Sequence, residues 1–311
     1  MARRVEALDN NPRETIELRT LLTRRIASLV HSPGEHTTGI PGLTLYRLNA
    51  PVACYAAEYE TGIAVIVQGK KRITLGRTTY ICDESSFVLT SVEVPLISEI
   101  LQATERKPLL ALFLKLDMSI IREIDRQEFT HRGIRTDGDA TPFGQANADL
   151  LQPCIRLLKI LDTPSAIPFF STLIQREIAY RLLQYPQGDF LRAIARLDDE
   201  RKGAAKALAW LRANYMKPFR LEQLAEIARM GVSTLNHHFR AVTALSPLQY
   251  QKQLRLIGAR ERMLVEGLDA TQAAIEVGYE STSQFTREYK RLFGQPPMRS
   301  IKAMRAADAA T

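Results

Sequence analysis

The sequence predicts an α+β chain. An antiparallel β-barrel or sandwich comes first, several helices follow, and an all-α region closes the chain with two helix-turn-helix units joined by a linker helix. Three observations lead there. Between Leu43 and Leu116, seven or eight short runs rich in β-branched residues recur at roughly ten-residue spacing. After Asp117 the apolar period becomes helical. In the last hundred residues one pattern is written twice: a short apolar helix, a turn holding Gly231 or Gly278, and a second, more basic amphipathic stretch. A chain of 311 residues is long enough for two domains, each with its own core.

From the N-terminus, Leu18, Leu21, Leu22, Ile26 and Leu29 mark a helix over Thr15–Val30. The stretch His31–Gly42 breaks it with two prolines and three glycines. Strands are predicted at Leu43–Leu48, Val52–Tyr59, Ile63–Val67, Arg72–Leu75, Thr78–Cys82, Phe87–Ser91, Leu96–Leu101 and Leu109–Leu116, with Pro95 and Pro108 at starts where a missing N–H is tolerated. Ile120, Ile121, Ile124 and Phe129 mark a short helix, and Thr136–Pro142 a polar turn. Ala146–Leu161 and Thr172–Leu183 read as an antiparallel helix pair across the loop TPSAIPF, and a further helix spans Phe190–Leu197. The charged run Asp198–Gly203 reads as the interdomain linker, or equally as the polar start of the next helix, which places a first domain at 1–197 (barrel about 43–116, helices about 118–197) and a second domain at 198–311.

Composition narrows the function classes. No apolar run reaches ~18 residues, so no membrane span is predicted. The polar start MARRVEALDNNPRE has no apolar signal core, which predicts a cytoplasmic protein. Cys54, Cys82 and Cys154 are too widely spaced for a CxxC zinc site and argue against a disulfide framework. The net charge of +8 is uneven: from Arg196 onward there are 19 Lys and Arg against 12 Asp and Glu, leaving +1 for the first 195 residues. The basic excess therefore coincides with the doubled motif, as a phosphate-binding domain requires.

Within that motif, Ala204–Tyr215 supplies a supporting helix ended by Pro218, and Leu221, Leu224 and Ile227 form the buried stripe of the first unit. Leu235, Phe239 and Val242 recur at i, i+4, i+7, which places Ser233, Asn236, His237 and Arg240 on the opposite, open face, where each can bond to bases or phosphates. In the second unit Ser281 and Gln284 fit a capping box, and Phe285, Tyr289 and Leu292 form the stripe. The open face holds Thr282, Ser283, Thr286, Arg287 and Lys290; Arg287 is the candidate for bidentate contact with guanine, and Thr282, Lys290 and Arg291 for phosphate contact. Leu248–Val265, carrying Arg255, Arg260 and Arg262, makes a linker helix of about 27 Å, which sets two reading helices near one DNA turn, ~34 Å, apart. Two units allow a single chain to read two successive major grooves, with some bending of the duplex.

Two segments, LEQLAEIARMGVSTLNHHFRAVTALSPLQYQKQLRL and AAIEVGYESTSQFTREYKRLFGQPP, carry a resemblance. With Gly278, Tyr279, Ser281, Phe285, Tyr289, Lys290, Gly294 and Pro297 in place, the last 105 residues or so resemble the DNA-binding domain of the AraC/XylS family of bacterial transcription regulators. Two positions depart: Gly231 stands where the family commonly has a helix-starting Ser, and His237 where Arg is frequent, which introduces a side chain that ordinarily titrates near neutrality. Ile63–Ile100 and Pro168–Ala195 resemble the companion domain of one branch of that family. The resemblance implies a cupin-like barrel that senses a ligand, with edge helices that mediate dimerisation.

The implied partners are promoter DNA, RNA polymerase, a small-molecule effector and a second copy of the chain. Candidate effector contacts are Cys54, Tyr55, Tyr59, Tyr80 and Cys82; the plainer reading of each is core packing, and the sharper reading of Cys54 and Cys82 is a sensor thiol, which needs exposure and a lowered pKa. A cupin enzyme needs two or three His and a Glu on neighbouring strands, whereas this half offers only His31, His36 and His131, none in a predicted strand. No metal, cofactor or enzymatic activity is therefore expected. Two rivals stay open: a first domain that only dimerises, and a ligand-independent DNA-bending protein whose affinity is salt-dependent but indifferent to sequence.

Overall fold

The computed structural model describes residues 3–4, 11–57, 60–75, 78–84, 86–91, 95–128, 142–195 and 202–308. Eleven strands appear among them: β1 (Arg3–Arg4), β2 (Gly34–Thr37), β3 (Leu43–Leu48), β4 (Val52–Ala57), β5 (Gly62–Gln68), β6 (Lys70–Leu75), β7 (Thr78–Cys82), β8 (Ser86–Thr90), β9 (Leu96–Gln102), β10 (Leu109–Lys115) and β11 (Phe143–Gln145). They form two sheets, in the orders β1-β7-β6-β9-β4 and β11-β8-β5-β10-β3-β2. Pairing is antiparallel except between β1 and β7. The eight predicted strands are all present within a residue or two; of the first sheet's β4, the predicted end at 58–59 lies outside the described residues.

Helix α1 (Pro12–Leu29) packs on β5 and β10, with Leu22 and Ile26 fully buried. It begins three residues before the predicted start, because Asn11 caps it and Pro12 opens the first turn. With a helix on one face and the opposite sheet on the other, β5 and β10 are buried on both sides. That is why they read as GIAVIVQ and LLALFLK rather than as alternating patterns. The short strands β2 and β11 were missed. Both are sheet edges, where a single pairing partner suffices and polar, Gly-rich sequence is accepted. His36 thus stands in a strand after all, with Nε2 bonded to the Ser32 carbonyl.

Helices α2 (Met118–Glu128), α3 (Ala148–Lys159), α4 (Ile167–Gln184) and α5 (Gly188–Ala195) complete the first half. The predicted loop between α3 and α4 is two 3₁₀ turns, and α4 starts five residues early because Pro168 sits in its first turn. Phe129, the turn at 136–141 and residues 196–201 lie outside the described residues. Helix α5 is anchored by Arg192, whose nearly buried guanidinium donates to Asp125, Asp189 and the Leu183 carbonyl.

The remaining helices are α6 (Lys202–Asn214), α7 (Leu221–Ala228), α8 (Val232–Thr243), α9 (Pro247–Glu261, continued by a π turn to Glu266), α10 (Ala270–Glu276), α11 (Thr282–Phe293) and α12 (Pro297–Asp308). The last two residues of the predicted linker, Lys202 and Gly203, are already helical, and Gly203 lets α6 abut the end of α7: a Cβ there would lie 2.1 Å from the Ala228 carbonyl. Helix α12 was not predicted. Among its described side chains Pro297, Ser300 and Ile301 are buried, and a stripe of one proline, one serine and one isoleucine gives little apolar signal.

One apolar cluster runs from the sheets through α3, α4 and α5 into α6, α7 and α8. Helix α5 packs directly on α8. The residues of α10, α11 and the second half of α9 form a separate cluster, and among the described residues its single strand member is Ile97 of β9.

Candidate nucleic-acid interface

In α8 the i, i+4 pair Leu235 and Phe239 is fully buried, and the ring of Phe239 meets Tyr250 of α9 edge-on at 5.3 Å. This fixes the rotation of the helix. Ser233, His237 and Arg240 are exposed and Asn236 is half-buried, on the face that the period assigns to DNA. Val242, expected in the stripe, has no described side-chain environment. The α7–α8 turn is made by Arg229 in the left-handed region (φ 52°), and Gly231 caps α8 without a side-chain bond.

In α11 Phe285 and Tyr289 are fully buried and Leu292 nearly so. Thr282, Ser283, Thr286, Arg287, Lys290 and Arg291 are all exposed. Ser281 Oγ accepts the Gln284 amide N–H, but only half of the predicted capping box forms. The Gln284 side chain turns instead to Glu288. Complete boxes start α9 (Ser246 with Gln249) and α10 (Asp269 with Gln272).

Glu288 was not foreseen as special. It lies on the inner edge of the reading helix and accepts from Lys252 Nζ (2.9 Å), Tyr279 Oη (2.9 Å) and Gln284 Nε2 (3.2 Å). Burial pushes its carboxyl up, but these donors outweigh burial and hold it below the usual carboxylate range. The Tyr279 phenol is shifted up, first by burial and then by Glu288.

The linker arginines do not face outward as a group. Arg255 donates to three backbone carbonyls, Arg262 to Glu276 and the Tyr215 phenol, and Arg260 is buried against Met304 and the Phe293 ring, 4.4 Å from its centroid. Three charges of the basic excess therefore serve packing. Residue type and position on a helix gave no sign of this, since the partners are carbonyls far away in sequence.

A cavity of about 300 Å³ lies between the two sheets, lined by Leu48, Ile66, Ile73, Ile100 and Phe113 with Tyr46, Tyr55, Glu35 and Lys71 as polar members. Tyr55 is thus at the cavity, with Lys71 Nζ 5.7 Å from its ring centroid. Tyr80 stacks on Phe143 at 3.9 Å, and Cys82 is fully buried; neither lines the cavity. Burial pushes the Cys82 thiol up to about 12, as it does for Cys154, so both are thiols at neutral pH. The Cys54 side chain, Tyr59 and His131 lie outside the described residues. Among the described residues, no three His, Cys, Asp or Glu side chains are grouped to hold a metal, and no helix is long and apolar enough to cross a membrane.

Two helix-turn-helix units with exposed polar reading faces, set behind a two-sheet domain with an internal cavity, define a DNA-binding regulator with a regulatory domain. Residues 39–190 match the AraC-type transcriptional regulator N-terminus, and residues 224–303 match a helix-turn-helix domain. The HTH-type transcriptional regulator ExsA of Pseudomonas aeruginosa is 23% identical over 282 residues, 86% of this chain and 95% of that one. The transcriptional activator RhaS of Pectobacterium carotovorum is 29% identical over 98 residues, 32% of this chain and 35% of its own length. Among solved structures, ToxT from Vibrio cholerae O395 aligns over 83% of this chain and 96% of its own, at 12% identity and a TM-score of 0.42. The chain belongs to the AraC/XylS family of transcription regulators.

Two expected outcomes follow from the second unit. Arg287→Ala should cost ~1–3 kcal/mol on a specific site and far less on random DNA, measured by titration at fixed salt; equal losses on both would make it a phosphate contact. For Glu288, whose folded pKa is depressed, the stabilisation is present above the unfolded pKa and lost as pH falls through the folded one. Melting temperatures of the wild type and Glu288→Gln should therefore differ at neutral pH and converge only as the pH falls through the depressed folded pKa of Glu288.

Proposed function

We propose that this regulator binds promoter DNA through Ser233, Asn236, His237 and Arg240 of α8 and through Thr282, Ser283, Thr286, Arg287, Lys290 and Arg291 of α11, under control of an effector held between the sheets. The division of labour is a sensing and dimerisation domain at 1–197 and a DNA-binding domain at 198–311, in a cytoplasmic protein without enzymatic activity. Promoter placement, with or without contact to RNA polymerase, sets activation or repression. Tyr55 is the effector contact among the residues singled out from sequence, joined by Lys71, Tyr46 and Glu35.

The observation that carries this reading is the position of β9. Its inner face contributes Ile100 to the cavity, and its outer face contributes Ile97, 1% exposed, to the core of the second helix-turn-helix. Just before β9, the Pro95 carbonyl accepts from the buried amide of Gln253 on α9. One strand therefore separates the cavity from the linker helix, and Lys252 on that helix holds Glu288 of α11. The first reading helix is tied to the regulatory half through α5. An occupant that displaces β9 acts on one unit while the other stays with the sheets.

A double-mutant cycle tests the route. Ala64→Phe puts a ring into the cavity in place of a ligand and should change affinity for a specific site by ~10-fold. The same substitution in an Ile97→Ala/Gln253→Ala background should change it less than about 2-fold. Equal changes in both backgrounds, or none in either with the fold intact, would remove β9 from the mechanism.

Dimerisation is assigned to α4. Phe169, Phe170 and Leu173 stand 72%, 52% and 62% exposed on its first turns, a cluster of three large apolar side chains that water disfavours. Two subunits provide four reading helices and raise effective concentration on a repeated site. Phe169→Glu/Leu173→Glu should sediment as a monomer with its melting temperature retained, against a wild-type dimer. A double variant that still sediments as the dimer, or a monomeric wild type, would move the interface elsewhere.

A further inference from the structure

The turn ahead of the first helix-turn-helix unit and the turn inside the second meet at a point that neither reading face includes. Helix α6 ends in the turn Tyr215–Lys217, which leads directly into α7 of the first unit. The second unit presses the turn between α10 and α11 onto it. Gly278 in that turn has φ +89°, and a Cβ there would lie 2.1 Å from the Met216 carbonyl oxygen. The contact is thus backbone on backbone, possible only at glycine.

Arg255 of α9 occupies the junction. Its Nε donates to the Tyr215 carbonyl (2.7 Å), Nη2 to the Met216 carbonyl (3.1 Å) and Nη1 to the Gly278 carbonyl (2.6 Å). Two of these carbonyls belong to the first unit's side and one to the second's. A guanidinium is a rigid plane with donors in fixed directions, so it sets the positions of all three oxygens relative to one another. A lysine ammonium, a point donor on a flexible stem, cannot hold three separated carbonyls in that geometry. Gly278 is four residues before the first residue of α11, and Met216 five before the first of α7. Any change in the angle between the two turns is therefore passed directly to α11 and, through α7 packed on α8, to the first reading helix. Helix α9 also holds the rest of the turn: Gln251 Nε2 donates to the Lys217 carbonyl (2.6 Å), and the Tyr215 ring lies against Gly258.

We propose that Arg255 is a positioning residue for DNA recognition: by clamping the Tyr215–Met216 carbonyls to that of Gly278, it sets the distance and rotation between the two reading helices, and with them the spacing of half-sites the protein accepts. The inference rests on the assignment of both α8 and α11 to DNA. One base pair changes the separation of two half-sites by about 3.4 Å and their relative rotation by roughly 35°. A rigid junction rejects that displacement, and a loosened one adapts to it.

The test uses the full chain and a duplex selected by it from a random-sequence pool. Versions with one base pair inserted or removed between the two halves complete the set. Wild type should lose ~10-fold or more in affinity on either altered spacer. Arg255→Met should bind the selected duplex more weakly and distinguish the three spacers by less than about 3-fold. Arg255→Lys, which keeps the charge and most of the stem, should behave like Arg255→Met and so separates geometry from charge. Gln251→Ala, which opens the neighbouring bond without touching Gly278, should keep the wild-type spacer preference. Circular dichroism melting of each variant identifies loss of fold, and if Arg255→Met melts early, the Arg255→Lys comparison carries the test. Folded Arg255 variants with an undiminished spacer preference would overturn the proposal while leaving two-helix reading intact. A wild type indifferent to the spacers would overturn both.

Discussion

Helix α9 organises this protein because its buried and half-buried polar side chains reach several distant parts of the chain. Gln251 reaches the Lys217 carbonyl, Gln253 the Pro95 carbonyl ahead of β9, Arg255 the carbonyls of Tyr215, Met216 and Gly278, and Lys252 the carboxylate of Glu288. Arg260 meets Met304 and Phe293 and so fastens α12. A buried amide or guanidinium must find acceptors, and the carbonyls at helix ends and turns have no partner inside their own helix. Each requirement meets the other here. Such a bond adds only about 1 kcal/mol net, but leaving a buried group unmade costs ~1–3 kcal/mol, so the arrangement is far more specific than it is stabilising.

The apolar packing has a complementary division. The first reading unit shares a continuous core with the helices of the regulatory half, whereas the second has its own core and touches the sheets through Ile97. Movement of the first unit alone would break open a large shared core. Among the described residues, the second meets the sheets at Ile97 and at the Gln253–Pro95 bond, and it is joined to the first by α9, whose Tyr250 lies in the shared core. A regulator that must change the relation of its two reading helices has its weak seam at the second unit. The cavity lies on the other side of that seam, across a single strand.

The charge pattern illustrates how a sound sequence argument shifts when contacts become visible. The basic excess does coincide with the two units, and Arg240, Arg287, Lys290 and Arg291 are exposed on their open faces. Arg255, Arg260 and Arg262 add to the same excess but turn inward onto carbonyls, a thioether, aromatic rings and a carboxylate. A formal count treats the two groups alike. Only the direction of each side chain separates a charge that meets phosphate from one that joins two helices. The same holds for Gln284, whose spacing from Ser281 fits a capping box but whose amide is drawn to the buried carboxylate of Glu288.

From the sequence alone the strands from Leu43 to Leu116, the buried stripes Leu235–Phe239 and Phe285–Tyr289, and hence the outward faces of both reading helices were determined. Periodicity is a local property: once one face of a helix or strand is buried, the opposite face follows from geometry. The tertiary structure decided what period does not encode. Edge strands β2 and β11 depend on a partner's free edge, and α12 on a place to dock rather than on its own apolar stripe. The two-faced role of β9 and the clamp of Arg255 depend on which distant groups are brought near. A long polar side chain has many reachable ends, and its choice among them is made by burial and by the nearest unsatisfied carbonyl, neither of which exists until the chain has folded.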